Sequence, residues 1–166
     1  MSLESHKVIR LAHSADVTAV RELVDAAYRI YVPRIGKQPG PMLDDYRKRI
    51  ADGQVWVLDD VSGIVGVLVL EERPDGFLLD NIAVAPVRQG NGHGRALLEF
   101  AEKQATRRGW SEIRLFTNAM MTENIAMYTR IGYVETARVT EKGFDRVYMT
   151  KRLAASKYHA LLTRTS

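Results

Sequence analysis

The chain has 166 residues, of which 46% are hydrophobic and 27% are charged. A chain of this length suits a single domain built around one core. Its 24 Lys and Arg against 20 Asp and Glu give a net charge of +4, with no basic block longer than the three residues 47–49. Because the basic residues are spread along the sequence, we expect no nucleic acid partner.

The sequence contains no cysteine. This excludes disulfides, thiolate nucleophiles and cysteine-ligated zinc, and we expect no metal ion. No segment approaches the roughly 18 consecutive apolar residues of a membrane span, and the first residues lack the pattern of a secretion signal. We therefore expect a soluble, cytoplasmic protein that has no membrane partner.

The first part of the chain is predicted to be a strand followed by two helices. Residues 8–12 form a short strand, and Ser14 is placed to cap a helix whose apolar residues recur on one face. This helix should end before Pro33, and residues 34–41 form a loop. Residues 42–51 are predicted to be a second short helix.

The rest of the chain is rich in predicted strands. Residues 54–59 and 64–71 form a hairpin, and the strand 77–84 follows a second turn. A helix then begins at Arg95, because apolar residues recur at helical spacing after it. Beyond it come a strand at 112–117, a short helix at 123–130, strands at 133–140 and 144–153, and a tail at 154–166. This order predicts an α+β fold with a mixed sheet.

A glycine-rich loop lies between the strand 77–84 and the following helix. Residues 86–94 read Pro-Val-Arg-Gln-Gly-Asn-Gly-His-Gly. The three glycines remove the Cβ atoms that would keep a ligand from the backbone, and the helix start beyond them offers unpaired N–H groups. The pattern predicts a diphosphate site, although glycine turns also occur for packing alone.

Two familiar nucleotide motifs fit this loop poorly. A P-loop ends in Gly-Lys-Ser/Thr, whereas His93 and Arg95 follow the last two glycines. A dinucleotide fingerprint lies near the first strand, with an acidic residue some 20 positions later. This loop comes in the middle of the chain with different spacing.

A second group of residues lies downstream. Asn124 and Tyr128 are four positions apart on the short helix 123–130, so they share one helix face, and Gly132-Tyr133 follow. Taken alone, the pattern is also typical of a core tyrosine and a surface amide.

Together the two segments resemble the GCN5-related N-acetyltransferase (GNAT) superfamily. Gln89-x-x-Gly92-x-Gly94 matches the loop that holds the pyrophosphate of acetyl-coenzyme A, and residues 124–133 match the later Asn…Tyr…Gly-Tyr/Phe motif. The resemblance spans residues 8–153, which we take as the N-acetyltransferase domain, with 154–166 as a C-terminal tail. It implies a mixed sheet of about seven strands with splayed central strands and about four helices.

The resemblance also implies which residues bind the cofactor, acetyl-CoA. Backbone groups of the strand end would meet the pantetheine arm, loop N–H groups would hold the pyrophosphate, and three side chains would lie near the thioester. The strand-end residues are Ile82, Ala83 and Val84, and the loop residues are Gln89, Gly90, Asn91, Gly92, His93, Gly94 and Arg95. The side chains near the thioester are Asn118, Asn124 and Tyr128. His93 replaces the aliphatic residue usual in the family, and we interpret it as a packing residue at the helix start.

The implied chemistry is direct attack of an amine on the thioester, without a covalent enzyme intermediate. Tyr128 would donate a proton or hydrogen bond to the leaving thiolate. Asp80, just before the cofactor-binding strand end, is the first candidate for general base, acting directly or through water. The alternative for Asp80 is a carboxylate on the solvent face or at a strand bend.

The acceptor pocket is expected between the first two helices and at the turn before the last strand. Its candidate residues are Tyr28, Tyr31, Arg34, Met42, Tyr46 and Phe144. Tyrosines supply apolar walls with polar tips, and Arg34 is suited to a carboxylate of the acceptor. Surface packing is the alternative for each of them.

The resemblance therefore implies an acetyl-CoA-dependent N-acetyltransferase acting on a primary amine of a small molecule or a protein. The alternative from another class is a non-catalytic module that binds acyl-CoA and acts as a sensor. Exposed strands at the ends of the sheet would suit a homodimer.

Overall fold

The computed structural model describes residues 6–154. They divide into two compact units. The first contains the described residues up to Glu71 together with Asp80–Leu98, and the second contains Glu72–Leu79 with the described residues from Glu99 onward. Apart from Ala154, the predicted tail lies outside the described residues.

Seven strands form a mixed sheet, as the sequence predicts. They are β1 (Val8–Leu11), β2 (Val55–Asp60), β3 (Gly63–Arg73), β4 (Gly76–Val84), β5 (Glu112–Asn118), β6 (Val134–Glu141) and β7 (Phe144–Arg152). Their order in the sheet is β1-β2-β3-β4-β5-β7-β6. The β4–β5 pair is parallel, whereas β1–β2, β2–β3, β5–β7 and β6–β7 are antiparallel. The α+β prediction is confirmed.

In the first unit, β2 and β3 form the predicted hairpin. The central residues of β3 are an unbroken apolar run, and Val65, Val67, Leu68, Val69 and Leu70 are all buried. Such a run is typical of a strand covered on both faces. Gly63 begins β3 with a φ of 115°, a conformation that side chains with a Cβ rarely adopt.

Helix α1 (Val17–Tyr28) buries six residues on one face: Val17, Val20, Leu23, Val24, Ala27 and Tyr28. The prediction that Ser14 caps this helix is wrong, because Ser14–Asp16 form a separate 3₁₀ turn. The Asp16 carboxylate accepts the His13 N–H at 2.7 Å, so the capping contact falls one residue before Ser14.

The segment after α1 is more helical than predicted. A 3₁₀ turn at Arg29–Tyr31 leads into α2 (Val32–Ile35), where Pro33 lies in the first turn and no hydrogen bond needs its missing N–H. The predicted loop and single helix are replaced by α3 (Gly40–Leu43) and α4 (Tyr46–Ala51), because Asp44 adopts an extended conformation between them.

The longest helix is α5 (His93–Arg107), which begins two residues before the predicted start. Its residues at helical spacing, Leu97, Leu98, Ala101 and Ala105, are all at most 2% exposed. In the second unit, α6 (Thr122–Arg130) follows β5, and β6 and β7 form the predicted closing hairpin with a turn at Lys142 and Gly143. In the described part of the chain, every helix is too short or too polar to cross a membrane.

Candidate functional site

The glycine loop connects β4 to α5 in the first unit. After a 3₁₀ turn at Pro86–Arg88, Gly90 and Gly92 adopt left-handed conformations with φ of 86° and 79°. A Cβ added to either glycine would lie more than 4 Å from every described atom outside the adjoining residues. The backbone of the loop therefore borders open space, and its conformation favours glycine at both positions.

Helix α5 begins immediately after this loop. The Ala96 N–H donates to the Gly92 carbonyl at 3.0 Å and makes the first turn of the helix. Helix geometry leaves the preceding N–H groups without acceptors inside the helix, and they carry a partial positive charge. Loop and helix start together form an arrangement suited to an anion.

Two basic side chains connect the loop to other segments of the first unit. The Arg88 guanidinium donates to the Ser62 hydroxyl at 2.8 Å and pairs with Asp60 at 3.1 Å. Hydrogen bonds from the Ser62 hydroxyl and N–H lower the pKa of Asp60, and Arg88 lowers it further. Lys7 Nζ donates to the Asn91 carbonyl at 3.4 Å. These contacts join the loop to the β2–β3 turn and add positive charge beside it.

His93 is the first residue of α5 and is 4% exposed. Its Nδ1 has no hydrogen-bond partner in the described part of the chain. Burial lowers the pKa of its imidazole, and the nearby Lys7 lowers it further. A buried, neutral imidazole fits the interpretation of His93 as a packing residue at the helix start.

The end of β4 carries the residues predicted to meet the pantetheine arm. Ile82 and Val84 are partly exposed, whereas Ala83 is buried. The parallel register that joins β4 to β5 contains Leu78 and Leu79, and Asp80–Val84 continue the strand beyond it.

Two of the tyrosines predicted to line the acceptor pocket are in fact buried beneath β4. Tyr28 is 7% exposed and Tyr46 is 1% exposed. Tyr28 Oη lies 2.6 Å from Asn81 Oδ1, and Asn81 Nδ2 donates to Tyr46 Oη at 3.0 Å. Their hydroxyls thus bind β4, because a polar side chain in that strand needs partners. Asn81 was not among the predicted site residues, although an amide beside Asp80 in a strand of mostly apolar residues was a signal.

The other first-unit candidates for the acceptor pocket lie on the helical segment after α1. The Arg34 guanidinium lies 5.2 Å from the centre of the Tyr31 ring, and the Tyr31 ring lies 6.2 Å from that of Tyr28. Tyr31 is buried, Met42 on α3 is partly buried, and Arg34 is exposed. An exposed guanidinium over an aromatic ring is compatible with carboxylate binding.

Asp80 forms an ion pair rather than facing solvent. Its Oδ2 lies 3.1 Å from Arg49 Nη2, and its side chain is 14% exposed. The same guanidinium binds Asp44 at 3.0 Å and Glu71 at 3.2 Å. Burial opposes the charge on Arg49, but these carboxylates together raise the pKa of its guanidinium.

The second unit contains Asn118, Asn124, Tyr128 and Phe144. The side-chain Oδ1 of Asn118 accepts the Met120 N–H at 2.9 Å and shapes the turn between β5 and α6. Asn124 Nδ2 lies 3.7 Å from the Met121 sulfur. Phe144 begins β7 opposite Glu141 and is partly exposed.

Tyr128 lies one helical turn after Asn124 and is 4% exposed. Its ring meets the ring of Tyr133 edge to face, with centroids 5.7 Å apart. The Tyr133 hydroxyl is buried without a hydrogen-bond partner among the described residues, and burial raises its pKa. The aromatic pair fixes the position of the Tyr128 ring.

Comparison with known proteins identifies the class to which this fold and loop belong. The family model described as the acetyltransferase (GNAT) domain matches residues 51–135, about half of the chain. The match includes the glycine loop and extends beyond Tyr133. The chain belongs to the GNAT family.

A mouse (Mus musculus) protein described as probable N-acetyltransferase family 8 member 5 is 25% identical over 124 residues, or 67% of this chain. The chain spans 55% of the length of that relative.

Solved structures of acetyltransferases share the fold. The PaiA N-acetyltransferase from Thermoplasma acidophilum, in complex with coenzyme A, has a TM-score of 0.74 and 17% identity, covering 88% of this chain and 98% of that one. The ribosomal-protein-S18-alanine N-acetyltransferase from Escherichia coli has a TM-score of 0.69 and 22% identity, covering 91% and 97%.

Proposed function

We propose that this protein transfers an acetyl group from acetyl-CoA to a primary amine. The observation that carries the proposal is the loop at the start of α5, where Gly90 and Gly92 leave open the space that a Cβ would fill. Membership of the GNAT family supports the same conclusion. The loop fits a diphosphate, because backbone N–H groups and a helix start converge on a surface without side chains.

The residues proposed to hold the cofactor fall into two sets. In the first unit, N–H groups of residues 89–95 bind the pyrophosphate, with Lys7 and Arg88 adding positive charge. Backbone groups of Ile82 and Val84, on either side of Ala83, bind the pantetheine arm. In the second unit, Asn118 and Asn124 contact its far end. When bound, acetyl-CoA supplies an acetyl group on a thioester.

Asp80 is the proposed general base. A primary amine with a pKa near 10.4 is almost fully protonated at pH 7, a handicap of roughly 4–5 kcal/mol for nucleophilic attack. Asp80 lies just before the strand end assigned to the cofactor and its side chain is 14% exposed, and it is proposed to take this proton directly or through one water molecule. Once the proton is removed, the amine nitrogen bonds to the acetyl carbon and the carbon–sulfur bond breaks. The nitrogen then loses a second proton, which replaces the one that the general acid gives to the leaving thiolate.

Tyr128 is the proposed general acid. Its phenol donates a proton or hydrogen bond to the leaving thiolate, whose conjugate thiol has an ordinary pKa near 8.5. The edge contact with Tyr133 holds the ring in one orientation. An N–H group of Ile82 or Val84 is the proposed donor to the thioester carbonyl.

The acceptor is proposed to be a primary amine of a small molecule or of a protein. The exposed Arg34 favours an acceptor that carries a carboxylate. A cytoplasmic location and a homodimer are part of the same proposal.

Two measurements test the proposed function. Isothermal titration with CoA should show binding, and a thiol-release assay with acetyl-CoA should show turnover with at least one amine of a panel that includes amino acids, polyamines, aminoglycosides and peptides. Binding without thiol release would favour the acyl-CoA sensor. Failure of CoA to bind would overturn both.

A further inference from the structure

Asn81 is a buried amide in the middle of β4, and two tyrosines from separate helices bind it. We propose that Tyr28, Asn81 and Tyr46 form a positioning network that holds the end of β4 in the conformation that receives the pantetheine arm. This inference rests on the proposed function, and it gives the two tyrosines a role other than lining the acceptor pocket.

The network is a continuous chain of hydrogen bonds across four elements of the first unit. Tyr28, at the end of α1, donates toward Asn81 Oδ1 at 2.6 Å and Ile82 O at 3.0 Å. The Asn81 amide donates to Tyr46 Oη at 3.0 Å, and the Tyr46 hydroxyl donates to the Pro41 carbonyl at 2.5 Å. The Tyr28 hydroxyl proton is therefore shared between two acceptors in β4, the Asn81 side chain and the Ile82 backbone carbonyl.

The carbonyl of Ile82 lies on the edge of β4 that faces away from β3. The Ala85 N–H donates to the Val65 carbonyl of β3 at 2.9 Å, which fixes the direction of its backbone groups. Because successive residues in a strand direct their N–H and C=O groups to opposite edges, Ile82 and Val84 direct theirs away from β3. Tyr28 thus binds a backbone group on the edge assigned to the cofactor arm.

The next carbonyl on that edge is also bound by a side chain. Val84 O accepts from Gln89 Nε2 at 3.3 Å. With the carbonyls of Ile82 and Val84 both engaged, this edge presents the N–H groups of the same two residues to a ligand. Donors at this spacing complement the amide and thioester carbonyls of acetyl-pantetheine.

The pattern distinguishes positioning from simple packing. A packing role would require Tyr28 to fill space, which phenylalanine would also do. A positioning role requires the hydroxyl, since the hydroxyl makes two contacts that reach β4 from α1. Loss of the hydroxyl would free the Ile82 carbonyl and allow its peptide group to rotate.

The test separates the pantetheine arm from the pyrophosphate. Isothermal titration compares CoA with adenosine 3′-phosphate 5′-diphosphate, which retains the pyrophosphate and lacks the arm. Tyr28→Phe should raise the Kd for CoA about tenfold and leave the Kd for adenosine 3′-phosphate 5′-diphosphate unchanged. Tyr46→Phe removes the hydrogen bond to Asn81 but leaves the Ile82 carbonyl bound by Tyr28, so it should raise the CoA Kd only about threefold. This variant provides the test if Tyr28→Phe fails to fold.

Tyr133→Phe is the matched control, because it also removes a buried hydroxyl but one without a hydrogen-bond partner among the described residues. Its Kd for CoA should equal that of the unchanged protein. The inference would be overturned if Tyr28→Phe and Tyr46→Phe bound CoA as tightly as the unchanged protein does. It would also be overturned if each variant lost as much affinity for the nucleotide as for CoA. If the unchanged protein binds neither ligand, the proposed function itself fails.

Discussion

The candidate residues of the two units are held in place by different kinds of contact. In the first unit the candidate groups are backbone atoms and a carboxylate, and ion pairs and hydrogen bonds from Arg88, Arg49 and Tyr28 fix them. In the second unit the main candidate is the phenol of Tyr128, which is fixed by ring packing against Tyr133. Under the proposed function, the first unit would bind the anion and receive a proton, whereas the second unit would supply one.

If the second unit supplies the proton, Tyr128→Phe should have the largest effect on turnover. We expect kcat to fall about 100-fold, with CoA affinity nearly unchanged, because the ring and its packing remain while the proton donor is lost. Steady-state thiol release with the best amine of the panel measures this. Tyr133→Phe is the control and should retain normal kcat. A normal kcat in Tyr128→Phe would remove the acid role.

If the first unit receives the proton, Asp80→Asn should lower kcat/KM at pH 7 by about 30-fold. The deficit should shrink as the pH rises toward 10, since more of the amine is then already neutral. Glu71→Gln also removes one carboxylate from Arg49 and should have little effect on the rate. Equal losses in the two variants, or a deficit that is independent of pH, would show that Asp80 only supports the structure.

The smallest expected effect concerns His93 and folding stability. Burial lowers the pKa of its imidazole in the folded protein. Below pH 6.5, the ordinary pKa of histidine, the unfolded chain therefore binds this proton more readily than the folded chain does. Stability should therefore fall as the pH drops below 6.5. The loss of Tm between pH 7.5 and 5.5 should be smaller in His93→Leu than in the exposed control His6→Gln. The same pH dependence in both variants would exclude this contribution.

The sequence predicted much of the fold because its signals were local. Period-two and period-3.6 patterns located the seven strands and α5, and glycines marked the turns. The segment from Ser14 to Asp44 was predicted less well, because its helix boundaries depend on a capping contact between His13 and Asp16 and on one extended residue. Neither follows from periodicity.

The candidate site was predicted in part for the same reason. The glycine loop can be found from sequence because a left-handed backbone requires specific residues at Gly90 and Gly92. Tyr28 and Tyr46 bind Asn81, and Asp80 binds Arg49, and each of these pairs is separated by 31 to 53 residues in the chain. Such pairings are set by tertiary packing, so a single sequence did not show that the two tyrosines bind β4 or that Arg49 holds Asp80.

The central claim is that the backbone of the glycine loop binds the cofactor's pyrophosphate, and one pair of variants tests it most directly. Gly92 and Gly109 have φ of 79° and 85°, and a Cβ at either would meet no described atom within 4 Å apart from those of adjoining residues. Gly92→Leu and Gly109→Leu should therefore lose similar stability through backbone strain. Titration with CoA should show at least a tenfold weaker Kd for Gly92→Leu alone. Equal CoA affinity in the two variants would contradict the account.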